Sequence, residues 1–339
     1  MTHFYAPERS LSNSLFEGID MPGRGFTPAL VLSGGSARGL AHLGVLEEIE
    51  RRHMKFGLIV GSSMGAIVGG LYAYYRDAET VTARLRSLFG SESFLKVASS
   101  IVDDSVSQLS VDGFFNRFMW LFRKGVYYTH SMLKTELVSE DAYRQIIGRL
   151  VPDTRIEDLP IPFAAVAMDL TTGEEIVITK GSLRDAVAAS SAIPGLFPAV
   201  EMNGRILIDG GWVDNVPVAP AIALGAHFVL AVDTTLEVPG LAVYPQSALE
   251  IVFRCNELTR IWLTRQRKSR ADVLITPEIG KLFWADYTGL EKCLLAGRKA
   301  FVDNVGTIYR RLALRRLLTL RGALHPARRG QWRHPFSIV

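Results

Sequence analysis

The feature that most constrains the fold is an apolar run at residues 56–60 (FGLIV) that leads into GSSMG at residues 61–65. The G-x-S-x-G spacing is typical of a sharp strand-to-helix turn that presents a serine hydroxyl, here that of Ser63. Glycines are needed at Gly61 and Gly65 because a side chain at either position would crowd the turn. A helix rich in small residues follows. The pattern predicts a strand, a nucleophile elbow and a helix packed on a sheet.

A second strand–turn–helix unit lies upstream, where residues 26–32 (FTPALVL) run into SGGSARG at residues 33–39. Backbone N–H groups at the start of a helix attract anions, so this loop is a candidate oxyanion hole. The predicted donors are the amides of Gly34, Gly35 and Ser36. A plain βα turn explains the glycines equally well, whereas no Lys-Ser or Lys-Thr follows to make a phosphate loop.

A carboxylate with a candidate role follows the short apolar run at residues 206–208 (ILI). Asp209 ends this run and is followed by Gly210 and Gly211. An aspartate before glycine is usually a turn former, but it can also serve as the base for Ser63.

The positions of the histidines favour the second interpretation. Elbow hydrolases usually order their triad as serine, acid and histidine, and the histidines after Asp209 are His227, His325 and His334. His227 precedes a predicted strand, at the end of the sheet opposite the elbow, and the other two lie in an arginine-rich tail. We therefore predict a dyad of Ser63 and Asp209.

These blocks resemble the patatin-like phospholipase family. SGGSARGLAHLG, GSSMGAIVGGL and DGGWVDNVPV occur in the family's order, and ASSAIPGLFP resembles its segment before the catalytic aspartate. The resemblance covers roughly residues 26–300. It implies a three-layer α/β/α sandwich with a mainly parallel central sheet, a Ser–Asp dyad, no metal or cofactor, and hydrolysis of acyl esters in lipids.

Residue by residue, the resemblance assigns the nucleophile to Ser63 and its partner to Asp209. The residues that match the oxyanion loop and the supporting motif positions are Gly34, Gly35, Ser36, Arg38, Gly39, Gly61, Gly65, Gly210 and Gly211. One departure from the family pattern is Ser36, where the family has glycine. A negative φ there leaves backbone donation intact, whereas a positive φ strains the loop.

A carboxylate at its ordinary pKa of about 4 is a weak base at neutral pH. The flanking apolar side chains that would desolvate Asp209 and raise its pKa are Ile206, Leu207, Ile208 and Trp212.

Composition predicts a globular α/β protein, since the 339 residues are 48% hydrophobic and 21% charged. Residues 1–25 read as a flexible lead-in without the apolar core of a signal peptide, and residues 26–303 as the catalytic domain. Within it, residues 91–149 are a predicted cap insertion. The uncharged stretch at residues 56–75 contains five glycines and is therefore expected to be a buried strand–turn–helix, not a membrane span. Two well-separated cysteines favour free thiols and a cytoplasmic location.

Residues 304–339 form a basic, amphipathic C-terminal extension with eight arginines and no acidic residue. Its arginines alternate with Ile308, Leu312, Leu314, Leu317 and Leu318, a pattern suited to an anionic membrane surface. A solvated helix or a contact in a homo-oligomer explains the pattern equally well. Nucleic acid is not expected, because base-reading motifs are absent.

Several other residues and segments have predicted roles. The aromatic run at residues 114–128 suits an acyl pocket or lipid interface, or a buried or dimer-facing helix. Asp233 is a candidate site residue or a cap, whereas His42 is expected in the core. Asn215 and Pro217 are expected to fix the loop that holds the aspartate. The basic cluster at residues 260–270 is expected on an exposed helix face.

The resemblance therefore implies a lipid acyl hydrolase of phospholipase A or lysophospholipase type, with a phospholipid or lysophospholipid as substrate. Two alternatives remain open at this point. One is a non-catalytic, lipid-binding regulatory protein on the same fold, and the other is a soluble carboxylesterase for short acyl chains.

Overall fold

The computed structural model describes residues 25–91, 136, 138–235, 248–280, 282, 287–320 and 336–339. Nearly all of the predicted lead-in and most of the predicted cap, with its aromatic run at 114–128, lie outside these residues. In the described part of the chain, no helix combines the length and apolarity needed to cross a bilayer.

One mixed sheet forms the centre of the protein. Its strands are β1 (Pro28–Leu32), β2 (Leu58–Ser62), β3 (Phe163–Asp169), β4 (Glu175–Ile178), β5 (Val200–Met202), β6 (Arg205–Asp209), β7 (Phe228–Val232), β8 (Val273–Ile275) and β9 (Phe336–Ile338). Strands β8, β7, β1, β2 and β3 pair in that order and are parallel, while β4 and β6 run antiparallel to β3. The parallel strands read as nearly continuous apolar runs because both of their faces are buried.

Helices cover both faces of the sheet. They are α1 (Ala41–Arg51), α2 (Met64–Tyr75), α3 (Ala78–Phe89), α4 (Glu140–Leu150), α5 (Leu183–Ser191), α6 (Val218–Ala223), α7 (Ala248–Lys268) and α8 (Leu290–Leu320). Helices α1 to α5 and α8 pack on one face, and α6 packs on the other with α7 beside it. This is the predicted three-layer α/β/α sandwich with a mainly parallel sheet.

Two strands meet end to end along one edge of β3. Ser62, the last residue of β2, lies opposite Val166, and Asp209, the last residue of β6, lies opposite Ala167. Pro162 accepts a bond from β2 and Leu170 donates one to β6. Because these two residues are an even number apart, both strands lie on the same edge. The ends of β2 and β6 are therefore brought together.

Helix α8 crosses α1 at two glycines. A Cβ at Gly44 would lie 2.0 Å from the carbonyl oxygen of Leu294, and one at Gly297 would lie 2.0 Å from that of Ala41. Only glycine allows the two backbones to approach this closely. The helix runs without interruption through residues 303 and 304, and after residues 321–335 the chain adds β9 to the outer edge of β4.

This crossing predicts opposite effects for one substitution at two positions of α8. Gly297→Ala should lower the free energy of unfolding by about 1–3 kcal/mol, because its Cβ meets backbone atoms of α1. Gly306→Ala should raise it by up to about 1 kcal/mol, because nothing lies within 4 Å of a Cβ there and alanine favours the helix. Urea unfolding measures both values, and equal effects at the two positions would contradict the close crossing.

Candidate active site

Ser63 occupies a strained turn between β2 and α2. Its φ of 54° and ψ of −122° lie in a region that costs a non-glycine residue about 1–3 kcal/mol. A Cβ at Gly65 would lie 2.1 Å from the carbonyl oxygen of Leu32, and one at Gly61 would lie 2.3 Å from that of Gly65. The prediction that the flanking positions must be glycine is confirmed. The strained turn presents the Ser63 side chain at the end of the sheet where the parallel strands end.

Ser190, near the end of α5, fixes the elbow from the neighbouring helix. The Ser63 N–H donates to Ser190 Oγ at 3.0 Å, and the Ser190 hydroxyl donates to the carbonyl oxygen of Val166 at 2.6 Å. The sequence analysis assigned Ser190 no role. Its only signal was its place in the ASSAIPGLFP block, which resembled the family without indicating a contact with the elbow.

The structure brings Ser63 and Asp209 into direct contact. The Ser63 hydroxyl donates to Asp209 Oδ2 at 2.6 Å, and the backbone N–H of Gly211 donates to Oδ1 at 2.7 Å. Both side chains are buried, at 8% and 4% exposure. A serine hydroxyl held against a buried carboxylate can lose its proton to that carboxylate as the oxygen attacks a carbonyl carbon.

Burial raises the pKa of the Asp209 carboxyl above its ordinary value. The hydrogen bonds from Ser63 and Gly211 and the charge of Arg260 act in the opposite direction. The direction agrees with the sequence hypothesis, but one of the proposed causes is wrong, because Ile206 is 41% exposed. A higher pKa makes the carboxylate a stronger base near neutral pH.

The glycine-rich loop passes beside Ser63. A Cβ at Gly34 would lie 3.1 Å from Ser63 Cβ. The Gly34 N–H already donates to the carbonyl oxygen of Asn215 at 3.1 Å, which departs from the prediction that Gly34 is an oxyanion donor. Within the described residues, the amides of Gly35 and Ser36 have no acceptor. These two amides are the remaining candidates for the oxyanion hole.

Ser36 has a positive φ of 48°, which is the strained one of the two backbone conformations considered for this position. A serine in this left-handed region is uncommon, so the surrounding structure must hold the loop in place. Thr234 Oγ1 donates to the carbonyl oxygen of Gly34 at 3.1 Å, and Arg38 donates to the carbonyl oxygens of Thr234 and Gly280 at 3.0 and 2.8 Å. The basic position of the motif therefore fixes the loop to the ends of the neighbouring strands.

His42 is buried beneath the same loop, as predicted. Its Nε2 lies 2.8 Å from the carbonyl oxygen of Ser33, so the ring donates a hydrogen bond to the start of the loop. Burial lowers the pKa of His42 to about 4. The ring is therefore neutral at physiological pH.

Asn215 links the loop to the aspartate. Its carbonyl oxygen holds Gly34, and a Cβ at Gly211 would lie 2.8 Å from its Oδ1. This supports the expectation that Asn215 fixes the segment after Asp209.

Most of the basic cluster on α7 faces the protein, which corrects the prediction of an exposed face, although Arg265 is exposed. Arg267 lies 2.5 Å from Glu175 and 3.2 Å from Asp214, and Lys268 lies 2.5 Å from Asp233. The three carboxylates are at most 3% exposed. Buried carboxylates require such partners, so this face of α7 neutralises acids behind the site.

Two of these acids are close enough to affect each other. Burial, reinforced by the Glu175 carboxylate, raises the pKa of Asp214 well above its ordinary value, whereas Arg267 acts in the opposite direction. Asp233 has a different role. Its Oδ1 accepts the N–H of Thr235 at 2.9 Å, so it caps the turn after β7.

Arg260 connects α7 to the loop that follows Asp209, a contact that the sequence analysis did not predict. Its Nε donates to the carbonyl oxygen of Gly211 at 3.2 Å, and its guanidinium lies 4.8 Å from the ring centroid of Trp212. The same Gly211 peptide donates its N–H to Asp209. Its proximity to the loop was invisible in the sequence, because 49 residues separate the two ends of this contact. Among the described residues, no three potential metal ligands are grouped.

A three-layer sandwich that presents a serine on a strand-to-helix elbow is typical of esterases and lipases. The patatin-like phospholipase family profile matches residues 30–222. Because this match covers more than half of the chain, the protein belongs to that family.

Curated relatives extend the likeness. An uncharacterized NTE family protein of Mycobacterium tuberculosis is 35% identical over 204 residues, 60% of this chain and 48% of that protein. Lysophospholipase NTE1 of Candida glabrata is 32% identical over 60% of this chain and 10% of its own length. Human patatin-like phospholipase domain-containing protein 6 is 32% identical over 76% of this chain and 16% of its own length. This chain thus spans about half or less of each relative.

A solved structure with a more distant likeness is that of VipD from Legionella pneumophila. It has a TM-score of 0.36 and 13% identity, and the alignment covers 82% of this chain and 67% of that one.

Arg260 predicts a change in the pH profile. Arg260→Ala should move the acid limb of kcat/KM for a chromogenic acyl ester to higher pH, because the lost positive charge lets the pKa of Asp209 rise further. Arg260→Lys keeps the charge and should leave the acid limb in place while lowering kcat through the lost contact with Gly211. Arg265→Ala, an exposed position on the same helix, is the control. An unmoved acid limb in Arg260→Ala would remove Arg260 from the electrostatics of the site.

Proposed function

We propose that this protein hydrolyses carboxylic ester bonds of lipids, as a phospholipase A or lysophospholipase, through a dyad of Ser63 and Asp209. The observation that carries the proposal is the 2.6 Å hydrogen bond from the Ser63 hydroxyl to Asp209 Oδ2 at a strained elbow. Membership of the patatin-like phospholipase family supports a lipid ester as substrate.

In the first half-reaction, Ser63 Oγ attacks the ester carbonyl carbon while Asp209 Oδ2 takes the hydroxyl proton. The carbonyl oxygen becomes an oxyanion, and the amides of Gly35 and Ser36 donate hydrogen bonds to it. When the intermediate collapses, the bond to the alkoxy oxygen breaks and Asp209 returns the proton to it. The alcohol leaves as a lysophospholipid or glycerophosphodiester, and Ser63 carries the acyl group.

In the second half-reaction, water replaces the serine as the nucleophile. Asp209 accepts a proton from the water as its oxygen attacks the acyl carbon, and the same amides stabilise the second oxyanion. Collapse releases the fatty acid, and Asp209 gives the proton back to Ser63 Oγ. Each cycle therefore consumes one ester and one water, and the dyad returns to its starting state without a metal or cofactor.

The rigid surroundings of the dyad support this role. Ser190 holds the Ser63 amide and Gly211 holds Asp209 Oδ1, so neither reacting group has to be reorganised when the substrate binds. Preorganised groups of this kind are a large part of enzyme catalysis.

The proposal also includes a catalytic domain that begins at residue 26 and extends past residue 303, because α8 runs without interruption through that position. A cap at residues 91–149 and a cytoplasmic location with peripheral membrane contact are its remaining parts.

The test is fatty-acid release from vesicles of phosphatidylcholine, phosphatidylglycerol or lysophosphatidylcholine. Ser63→Ala and Asp209→Asn should each lower kcat/KM by about 10²-fold or more, because one removes the nucleophile and the other the base. Ser62→Ala is a matched control, since its buried Oγ has no partner within the described residues and lies one position away. It should retain activity.

Two further measurements separate the alternatives. A fluorophosphonate probe should label the wild type and Ser62→Ala but not Ser63→Ala. Wild-type protein that binds vesicles without releasing fatty acid or reacting with the probe would favour a lipid-binding regulatory protein. Hydrolysis limited to short, soluble acyl esters would favour the carboxylesterase alternative, and full activity in Ser63→Ala would exclude the dyad.

A further inference from the structure

The outward face of α8 carries a continuous row of apolar and small side chains. We call it the outer stripe, and it consists of Val302, Gly306, Tyr309, Ala313, Leu317 and Leu320, all of them exposed. At 100° per residue, these positions fall within about 80° on one side of the helix. The larger members, Val302, Tyr309, Leu317 and Leu320, are 42–75% exposed. No described part of the chain covers this row.

The outer stripe differs from the apolar face that the sequence analysis identified. Ile308 of that face is fully buried, and Leu312 and Leu318 are partly buried. Arg315 turns inward and forms an ion pair with Asp272, just before β8. The exposed apolar face of α8 is therefore rotated about the helix axis from the predicted apolar face. Leu317, at the edge of the outer stripe, belongs to both faces.

Arginines flank the outer stripe. Arg310 and Arg316 lie on its two sides and are exposed, and within the described residues neither has a carboxylate partner. Arg311 is also exposed but lies about 160° from the centre of the stripe, on the other side of the helix. The last acidic residue of the chain is Asp303, which pairs with Lys299. The second half of α8 thus presents an apolar row between uncompensated positive charges.

This charge distribution distinguishes between two possible binding partners of the outer stripe, a second copy of the chain and an anionic membrane. A second copy of the chain, packed through the same stripe, would bring two arginine clusters against each other. An anionic bilayer instead accepts the apolar row at the acyl boundary, while the guanidinium groups reach phosphate oxygens of the headgroups. We propose that the outer stripe of α8 binds the surface of an anionic membrane.

The same helix is attached to the candidate active site. The Cys293 thiol, in the first turn of α8, lies 3.6 Å from the carbonyl oxygen of Ala37 behind the glycine-rich loop. Gly297 then packs directly on Ala41. Through these contacts, a bilayer bound along α8 holds the sheet and its elbow at the membrane surface, where lipid substrates are found.

The experiment measures binding alone, so that it does not depend on the proposed hydrolysis. Ser63→Ala protein is sedimented with vesicles of phosphatidylcholine, with or without phosphatidylglycerol, at low and high salt. Changing Arg310 and Arg316 together to Gln should lower partitioning onto the anionic vesicles by about 25-fold at low salt, since each basic residue contributes about fivefold. Tyr309→Asp with Leu317→Asp should abolish the binding that survives high salt.

Matched controls use equally exposed positions elsewhere. The first control is Leu314→Asp, because Leu314 is 47% exposed on α8 but lies outside the outer stripe. The second is the double variant Arg51→Gln with Arg144→Gln, which removes exposed arginines from α1 and α4. These variants should bind as the parent protein does. Equal binding by stripe and control variants would overturn the proposal. So would a dimer in analytical ultracentrifugation that the stripe variants convert to monomer, because the stripe would then bind a second copy.

Discussion

The Val166 peptide in β3 is the point on which the site depends. Val166 pairs with Ser62 at the end of β2, and its carbonyl oxygen accepts the Ser190 hydroxyl that holds the Ser63 amide. A Cβ at Gly210 would lie 2.1 Å from that same oxygen. The elbow, the helix that supports it and the turn after Asp209 therefore share one backbone group. Their relative positions are fixed by this main-chain group together with one short, fully buried side chain, that of Ser190.

Electrostatic balance is the second constraint on this end of the sheet. Carboxylates at Asp209, Asp214, Glu175 and Asp233 are buried close to the ends of the strands, where ionised groups are costly unless paired. Helix α7 supplies the compensating charges from its inward face. Among the described residues, Asp209 forms no ion pair, and the charge of Arg260 lowers its pKa without direct contact. The carboxylate that we propose as the base is thus the one of the four without a salt bridge within the described residues.

Sequence reasoning succeeded where the information is local. The apolar runs before the two glycine-rich turns were predicted as strands and form β1 and β2, because a buried parallel strand is a continuous apolar run. The elbow glycines were predictable because their steric role depends on adjacent residues. The contact of Ser63 with Asp209 followed from motif order, although 146 residues separate them.

The failures concern contacts that no local pattern encodes. Arg267 was expected in solvent, because the spacing of charges on a helix does not reveal a buried Glu175 on a distant strand. Gly34 appeared as a free donor because its acceptor, the Asn215 carbonyl, lies on another loop. The rotation of α8 was misjudged for the same reason, since the Gly44 and Gly297 crossing decides which leucines face α1.

The inward face of α7 also has a consequence for the direction from which Ser63 can be approached. Lifting α7 from the sheet would leave Glu175, Asp214 and Asp233 without their cations in a low-dielectric environment, which is costly for each carboxylate. The opposite face is closed by α2 and α5, packed against β3. Within the described residues, the direction that these helices leave open toward Ser63 is along the strands, over the ends of β1 and β2.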